Sequence, residues 1–207
     1  MRILWAACLL TAVVACSTGT TSPPASSAVM PGDAGPAIVF VSVGSDETTG
    51  EGLPDRLRQA WPQLFFRQAL AQRAVHVNLA IPGTTVADAL DQQLPSALEL
   101  APTVATLWLT SGDVANGTPV SDYERDLETA VRLLQQTGGA RVLVALGPEM
   151  GSAARATAAY NAAVRRVVDR TDADLVDLSM LSPELGVSAH MAAATAFDKA
   201  FANHAGR

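Results

Sequence analysis

Ala37-Ile38-Val39-Phe40-Val41-Ser42-Val43-Gly44-Ser45-Asp46-Glu47-Thr48-Thr49-Gly50 sets the architecture. Its first seven residues are apolar apart from one serine and rich in β-branched side chains, which predicts a strand buried on both faces. Gly44 ends the run, and the polar residues after it form a loop at the strand's carboxyl end. Downstream, Leu57, Trp61, Leu64, Phe65 and Leu70 keep helical spacing over 53–72, with a break at Pro62. A second strand follows over 75–80, then a helix over 86–100 interrupted at Pro95, and a third strand over 104–110. Ser121-Asp122-Tyr123-Glu124 has the form of a capping box, opening a helix that runs to Gln136 and closes at Gly138-Gly139. The remaining elements are a strand over 140–146, a helix over 152–170, a strand over 173–178 and a closing helix over 191–203.

Five strands alternating with helices predict an α/β domain with a five-stranded parallel sheet covered on both faces. In such sheets ligands bind beyond the carboxyl ends of the strands, near the switch in strand order. The candidate site loops are therefore 44–50, 81–85, 111–118 and the segment before the closing helix.

The N-terminus is a different kind of sequence. Met1-Arg2 and the apolar run over 3–15 have the plan of a secretory signal. As a helix this run would reach about 20 Å against about 30 Å of hydrocarbon, which predicts a cleaved signal peptide at 1–15 rather than a permanent span. Val13-Val14-Ala15-Cys16 resembles the bacterial lipobox, and the resemblance implies lipidation of Cys16. Two or more acyl chains at ~0.8 kcal/mol per buried methylene make a firm anchor, so the expected protein is extracytoplasmic and lipid-anchored to the bacterial cell membrane. An ordinary secretory signal with a chance cysteine is the alternative. Residues 16–36 are dominated by Ser, Thr, Gly, Pro and Ala without hydrophobic periodicity, the composition of a flexible linker. The domain then occupies 37–207, enough for one core burying about 70% of the unfolded surface.

Composition narrows the partners. Fourteen Lys and Arg against twenty Asp and Glu give a formal charge of −6, which repels nucleic acid. Both cysteines, Cys8 and Cys16, precede the domain, so neither a zinc knuckle nor an internal disulfide is expected within it. Neither a P-loop nor a GxGxxG loop is present, and no cofactor or metal is expected.

The site loops carry a pattern. Gly44-Ser45-Asp46-Glu47-Thr48-Thr49-Gly50, then Asn78-Leu79-Ala80-Ile81-Pro82-Gly83, then Leu109-Thr110-Ser111-Gly112-Asp113, and finally His190 resemble the block order of the SGNH or GDSL esterase and lipase family. Tyr160-Asn161-Ala162-Ala163 resembles a stretch of the helix before the last strand. The resemblance implies a flavodoxin-like three-layer α/β/α sandwich. It also implies Ser-His-Asp acyl transfer, with an oxyanion hole made by the nucleophile's amide, a glycine amide and an Asn side chain.

Residue by residue, the chain departs from that pattern. The family's Gly-Asp-Ser aligns with Gly44-Ser45-Asp46, so Asp46 stands at the nucleophile position and Ser45 one place early. Gly83 matches the oxyanion glycine, whose role needs only a backbone N–H. Gly112 stands where the family has Asn, with Asn116 three residues beyond Asp113 as a substitute donor. Val187 stands where an acid three residues before His190 belongs, unless Asp177 replaces it. A carboxylate at position 46 beside His190 would raise the imidazole pKa and oppose a developing oxyanion.

Three readings follow. The first is an esterase acting on a small carboxylic ester from Ser45 with His190. The second is a non-catalytic relative binding an envelope lipid, glycan or protein. The third makes Asp46 a nucleophile that forms an alkyl ester. Structural roles stand beside these: Asp46 and Glu47 as helix N-terminal acids, Asp113 supporting its own loop, His190 as a surface helix residue, His76 as a sheet-facing residue, and His204 in a tail.

Overall fold

The computed structural model describes residues 38–70, 73–149, 151–182 and 184–204, without the side chains of 137 and 138. The signal peptide, Cys16 and the linker lie outside the described residues. Five strands, β1 (Ile38–Gly44), β2 (Ala74–Asn78), β3 (Val104–Trp108), β4 (Arg141–Ala145) and β5 (Asp174–Val176), form one parallel sheet in the order β2-β1-β3-β4-β5. Nine described helices connect and cover them: α1 (Asp46–Thr49), α2 (Arg56–Gln59), α3 (Trp61–Ala69), α4 (Val86–Gln92), α5 (Leu94–Glu99), α6 (Thr110–Asn116), α7 (Val120–Gly138), α8 (Ala154–Thr171) and α9 (Val187–His204).

Strand periodicity sorts the core into two layers. Val41, Val43, Ala105, Leu107, Val142 and Val144 face α4, α5, α7 and α8. Their alternates Phe40, Val104, Trp108, Leu143 and Ala145 face α3 and α9. Side chains one residue apart point to opposite faces of a strand, and both faces here are apolar because both are covered. On the second face Trp61 of α3 stacks on Phe197 in the middle of α9 at 3.9 Å between ring centroids, which packs α9 against α3. The result is a three-layer α/β/α sandwich.

Prolines placed the helix breaks. The expected helix over 53–72 is α2 and α3, with Pro62 in the first turn of α3, where its missing N–H costs nothing. The helix over 86–100 likewise divides into α4 and α5 around Pro95. Two local expectations are corrected. The helix α7 starts two residues earlier than the expected capping box places it, with Pro119 rather than Ser121 at its N-cap and no capping bond from Ser121. A reciprocal capping box occurs instead at α4, where Thr85 Oγ1 accepts from the Asp88 amide at 3.2 Å and Asp88 Oδ2 accepts from the Thr85 amide at 3.1 Å. Residues 111–118, expected as a loop, are mostly the short helix α6.

Candidate functional site

The loops after β1, β3 and β4 surround a cavity of about 420 Å³ at the carboxyl end of the sheet. It lies at the crevice that the β2-β1-β3 order creates, where successive crossovers leave the sheet on opposite sides. Asp46 and Glu47 of α1 line it, with Thr110 and Ser111 at the start of α6, Gly147 and Pro148 after β4, and Leu185 before α9. Val114, Ala115 and Ala153 supply further apolar wall.

Two side-chain amides hold the loop bases. Gln93 Oε1 accepts from the Gly44 amide and its Nε2 donates to the Gly44 carbonyl, both at 3.0 Å. Asn161 repeats the device at the end of β4, exchanging two 2.8 Å bonds with Gly147 and donating to Glu149 Oε1. Each amide pairs with a backbone donor and acceptor at the carboxyl end of a strand, where the Gly44 carbonyl also accepts from the Ile81 amide at 3.2 Å. Gln93 is legible in sequence as a polar residue on the apolar stripe of Val86, Ala89 and Ala97.

Asp46, half-buried at the nucleophile position, lines the cavity. Its Oδ2 accepts from the Gly83 amide and from the Ser45 hydroxyl, each at 3.2 Å. The structure thus brings Ser45, Asp46 and Gly83 together, with the carboxylate as their common partner. Ser45 itself is fully buried at the N-cap of α1, its amide donating to the Trp108 carbonyl, and it is absent from the cavity lining.

His190 does not join this group. It lies in the first turn of α9, buried, with Nδ1 accepting from the Trp61 amide at 3.2 Å. That amide opens α3, so the imidazole satisfies one of the helix's otherwise unpaired N–H groups. A ring accepting at Nδ1 carries its proton on Nε2, and Nε2 is buried with no hydrogen-bond partner among the described residues. Burial pushes the imidazole down to about 4. The expected upward shift from Asp46 is therefore replaced by a downward one with desolvation as its cause, and the surface placement of His190 is corrected to a buried one.

The remaining expected residues are engaged elsewhere. Asn116 is exposed at the end of α6, and its amide donates to the Gly112 carbonyl at 2.8 Å rather than toward the cavity. Asp177 accepts from the amide and hydroxyl of Ser179 and pairs with Arg165 at 3.4 Å, so it does not orient His190. Asp113 is buried, and its Oδ2 accepts from the Val86 amide at 2.8 Å, tying α6 to the first turn of α4. Burial holds its pKa above the usual carboxylate range. Gly112, at the family's Asn position, meets the main chain of Thr84 so closely that a Cβ would sit 2.0 Å from the Thr84 carbonyl oxygen. The missing donor is thus a consequence of how two loops pack. His76 stacks on Phe40 at 4.5 Å and shares a 3.0 Å bond with Ser42, a structural role within the sheet.

Glu47, read from sequence only as a helix N-terminal acid, is the residue that reading underestimated. It is 4% exposed, and its Oε2 has no hydrogen-bond partner among the described residues. Burial pushes its pKa up to about 7, with the neighbouring Ser111 hydroxyl partly offsetting this. Ser111 Oγ, also shielded from solvent, is that neighbour of the Glu47 carboxyl. A buried glutamate in a polar loop has no periodic signal, because its burial is created by α6 folding over it. Among the described residues no cluster of three or more His, Cys, Asp or Glu forms a metal site, and no helix is long and apolar enough to cross a membrane.

This strand order and cavity define a flavodoxin-like sandwich with its site at the switch point. The family model for GDSL-like lipases and acylhydrolases matches residues 19–205, and the chain belongs to that family. Among solved structures, TesA superposes with a TM-score of 0.66 at 21% identity, covering 79% of this chain and 97% of that one. The psychrotrophic esterase EstA from Pseudoalteromonas sp. gives a TM-score of 0.66 at 18% identity, covering 82% of this chain and 100% of that one. A catalytic mutant of an acetylxylan esterase from Geobacillus stearothermophilus gives 0.66 at 17% identity, covering 80% of this chain and 94% of that one. No curated protein matches by sequence.

Proposed function

We propose that this member of a hydrolase family uses the cavity to bind a small amphipathic ligand at the cell envelope, without Ser-His ester hydrolysis. The observation that carries the reading is the occupation of the parts such hydrolysis needs. The Gly83 amide and the Ser45 hydroxyl both donate to Asp46, and the acceptor nitrogen of His190 is taken by the Trp61 amide. A carboxylate facing a tetrahedral oxyanion at 3 to 4 Å would add about 4 kcal/mol of repulsion at an effective dielectric of 20. The cavity itself is intact, apolar on most of its wall and polar at Asp46, Glu47 and Ser111, which suits an amphipathic molecule. The signal-like residues 1–15 and the lipobox-like Val13-Val14-Ala15-Cys16 support tethering through Cys16.

Thermal unfolding with a panel of short-chain amphiphiles, run beside p-nitrophenyl acetate and butyrate hydrolysis, tests the binding reading. Ligand-dependent stabilisation without turnover above a Ser45→Ala control is expected; turnover that the control abolishes would overturn it. Incorporation of labelled palmitate, lost in Cys16→Ser, tests the anchor. A second reading, hydrolysis of a carboxylic ester from Ser45, is supported by membership in an acylhydrolase family, and the same control decides for it.

A further inference from the structure

We propose that the free edge of β2 and the groove beside it take an extended segment of another protein, added to the sheet as a further strand and carrying an acidic side chain that pairs with Arg56. This surface is separate from the cavity above and does not depend on what the cavity holds. In the order β2-β1-β3-β4-β5, β2 pairs with β1 on one side and its other side faces away from the sheet. The Ile38 amide donates to the Arg73 carbonyl and the Leu79 amide to the Ser42 carbonyl, which turns the main-chain groups of the odd-numbered residues of β2 toward β1. Those of Ala74, His76 and Asn78 point outward and pair with no described group. The next outward amide, that of Ala80, is taken by Asn78 Oδ1 at 3.1 Å, and there the free edge ends.

Natural edge strands are blunted by charge, proline, a bulge or shortness, because an open row of N–H and C=O groups recruits another strand. The other edge of this sheet follows that rule: β5 has three residues and opens on Asp174, ion-paired with Arg141 at 2.6 Å. β2 does not follow it. Its five residues keep unbroken one-to-one register with β1 and include neither a proline nor a charged side chain.

The groove fixes the chemistry of the partner. It has a volume of about 420 Å³, with His76, Asn78 and Ala80 on the β2 side and Arg56, Leu57 and Gln63 on the side of α2 and α3. Arg56 is the one formally charged side chain among its described lining residues. Its guanidinium makes no ion pair or hydrogen bond to a described residue, whereas the nearby Arg58 pairs with Asp55 and Arg67 donates to the Arg58 carbonyl. Gln63 Oε1 lies 3.4 Å from His76 Nδ1, which leaves Gln63 Nε2 as a second unpaired donor. A charged and a neutral donor, with no acid in the lining, suit a carboxylate. Leu57, 80% exposed, offers apolar contact to a neighbouring side chain of the same segment. In strand addition the main chain supplies affinity and alternate side chains supply specificity. A second copy of this chain fits less well, because two-fold antiparallel pairing of β2 with β2 brings Arg73 of each copy toward the Arg56 end of the other, and each copy carries a formal charge of −6.

Isothermal titration of the purified full-length protein with the acetylated and amidated peptide Thr-Val-Glu-Val-Thr, its Glu-to-Gln analogue and two versions N-methylated on alternate residues tests this. The Glu peptide is expected to bind about tenfold more tightly than the Gln analogue, the scale of a charge-assisted hydrogen bond. One N-methylated version should lose binding and the other keep it, because alternate amides of an added strand face β2. Arg56→Gln, with an unchanged cooperative unfolding transition showing that it folds, should lower the Glu peptide to the affinity of the Gln analogue and leave the analogue as it was. Absence of binding, equal affinity of the Glu and Gln peptides, or equal binding of the two N-methylated versions would overturn the proposal. A dimer of the peptide-free protein that the Glu peptide dissociates would assign the edge to a second copy and overturn it too.

Discussion

Asp46 Oδ2 lies 3.2 Å from the Gly83 amide nitrogen, so the backbone donor that would polarise a substrate carbonyl is bound to a carboxylate of the protein itself. The same oxygen takes the Ser45 hydroxyl, and one acceptor joins the first two loops of the site. Asp46→Ala should therefore lower stability by about 1.5–3 kcal/mol, the usual worth of a hydrogen bond to a charged group. Urea unfolding measures this as a lower midpoint at unchanged slope.

Gly112 is required by the approach of the Thr84 main chain. Gly112→Asn, which restores the family's residue type, should not restore a side-chain donor to the cavity. It should destabilise by about 1–3 kcal/mol or more through overpacking. A fall in Tm of several degrees, with no gain in hydrolysis of p-nitrophenyl acetate, is the expected result.

Gln93 should matter as much as any core residue. Gln93→Leu leaves the Gly44 amide buried without a partner, while the Gly44 carbonyl keeps the Ile81 amide at 3.2 Å, at about 1–3 kcal/mol for the orphaned donor. Chemical denaturation should show this loss, and Asn161→Leu should show a similar one at Gly147.

The buried titratable groups set opposing pH trends. His76 and His190 are lowered by burial from 6.5 to about 4, so between these values the unfolded chain binds more protons and stability falls as pH falls. Glu47 is raised from 4.5 to about 7, so the folded chain holds more protons in that window and stability falls as pH rises. Glu47→Gln should thus gain stability relative to the parent protein as pH rises from 4.5 to 7, and hold that gain above it. Thermal unfolding of the two proteins from pH 4 to 8 checks the difference, in which the histidine terms cancel.

The sheet was legible because a buried parallel strand writes itself as a short β-branched run, as at Val39-Phe40-Val41, and because Pro62 and Pro95 punctuate helices. Loop chemistry was legible only as residue types. Position 46 was readable as a carboxylate replacing a serine, but which group that carboxylate binds depends on where Gly83 falls after β2. His190 was readable as the last imidazole of the pattern, yet its direction is set by the Trp61 amide, far away in sequence. Ser121-Asp122-Tyr123-Glu124 satisfied a local capping rule that Pro119 overrode by starting the helix earlier. Glu47 carried no signal, since its burial depends on α6, a helix that its own loop-like sequence concealed.

The central claim is that Ser45 is not a nucleophile, because its hydroxyl serves Asp46 and no imidazole accepts its proton. Intact-protein and peptide mass spectrometry after incubation with a fluorophosphonate tests it most directly. The account predicts no adduct on the peptide containing Ser45, in the native protein and in Ser45→Ala alike; a stoichiometric adduct at Ser45, absent from Ser45→Ala and His190→Ala, would contradict it.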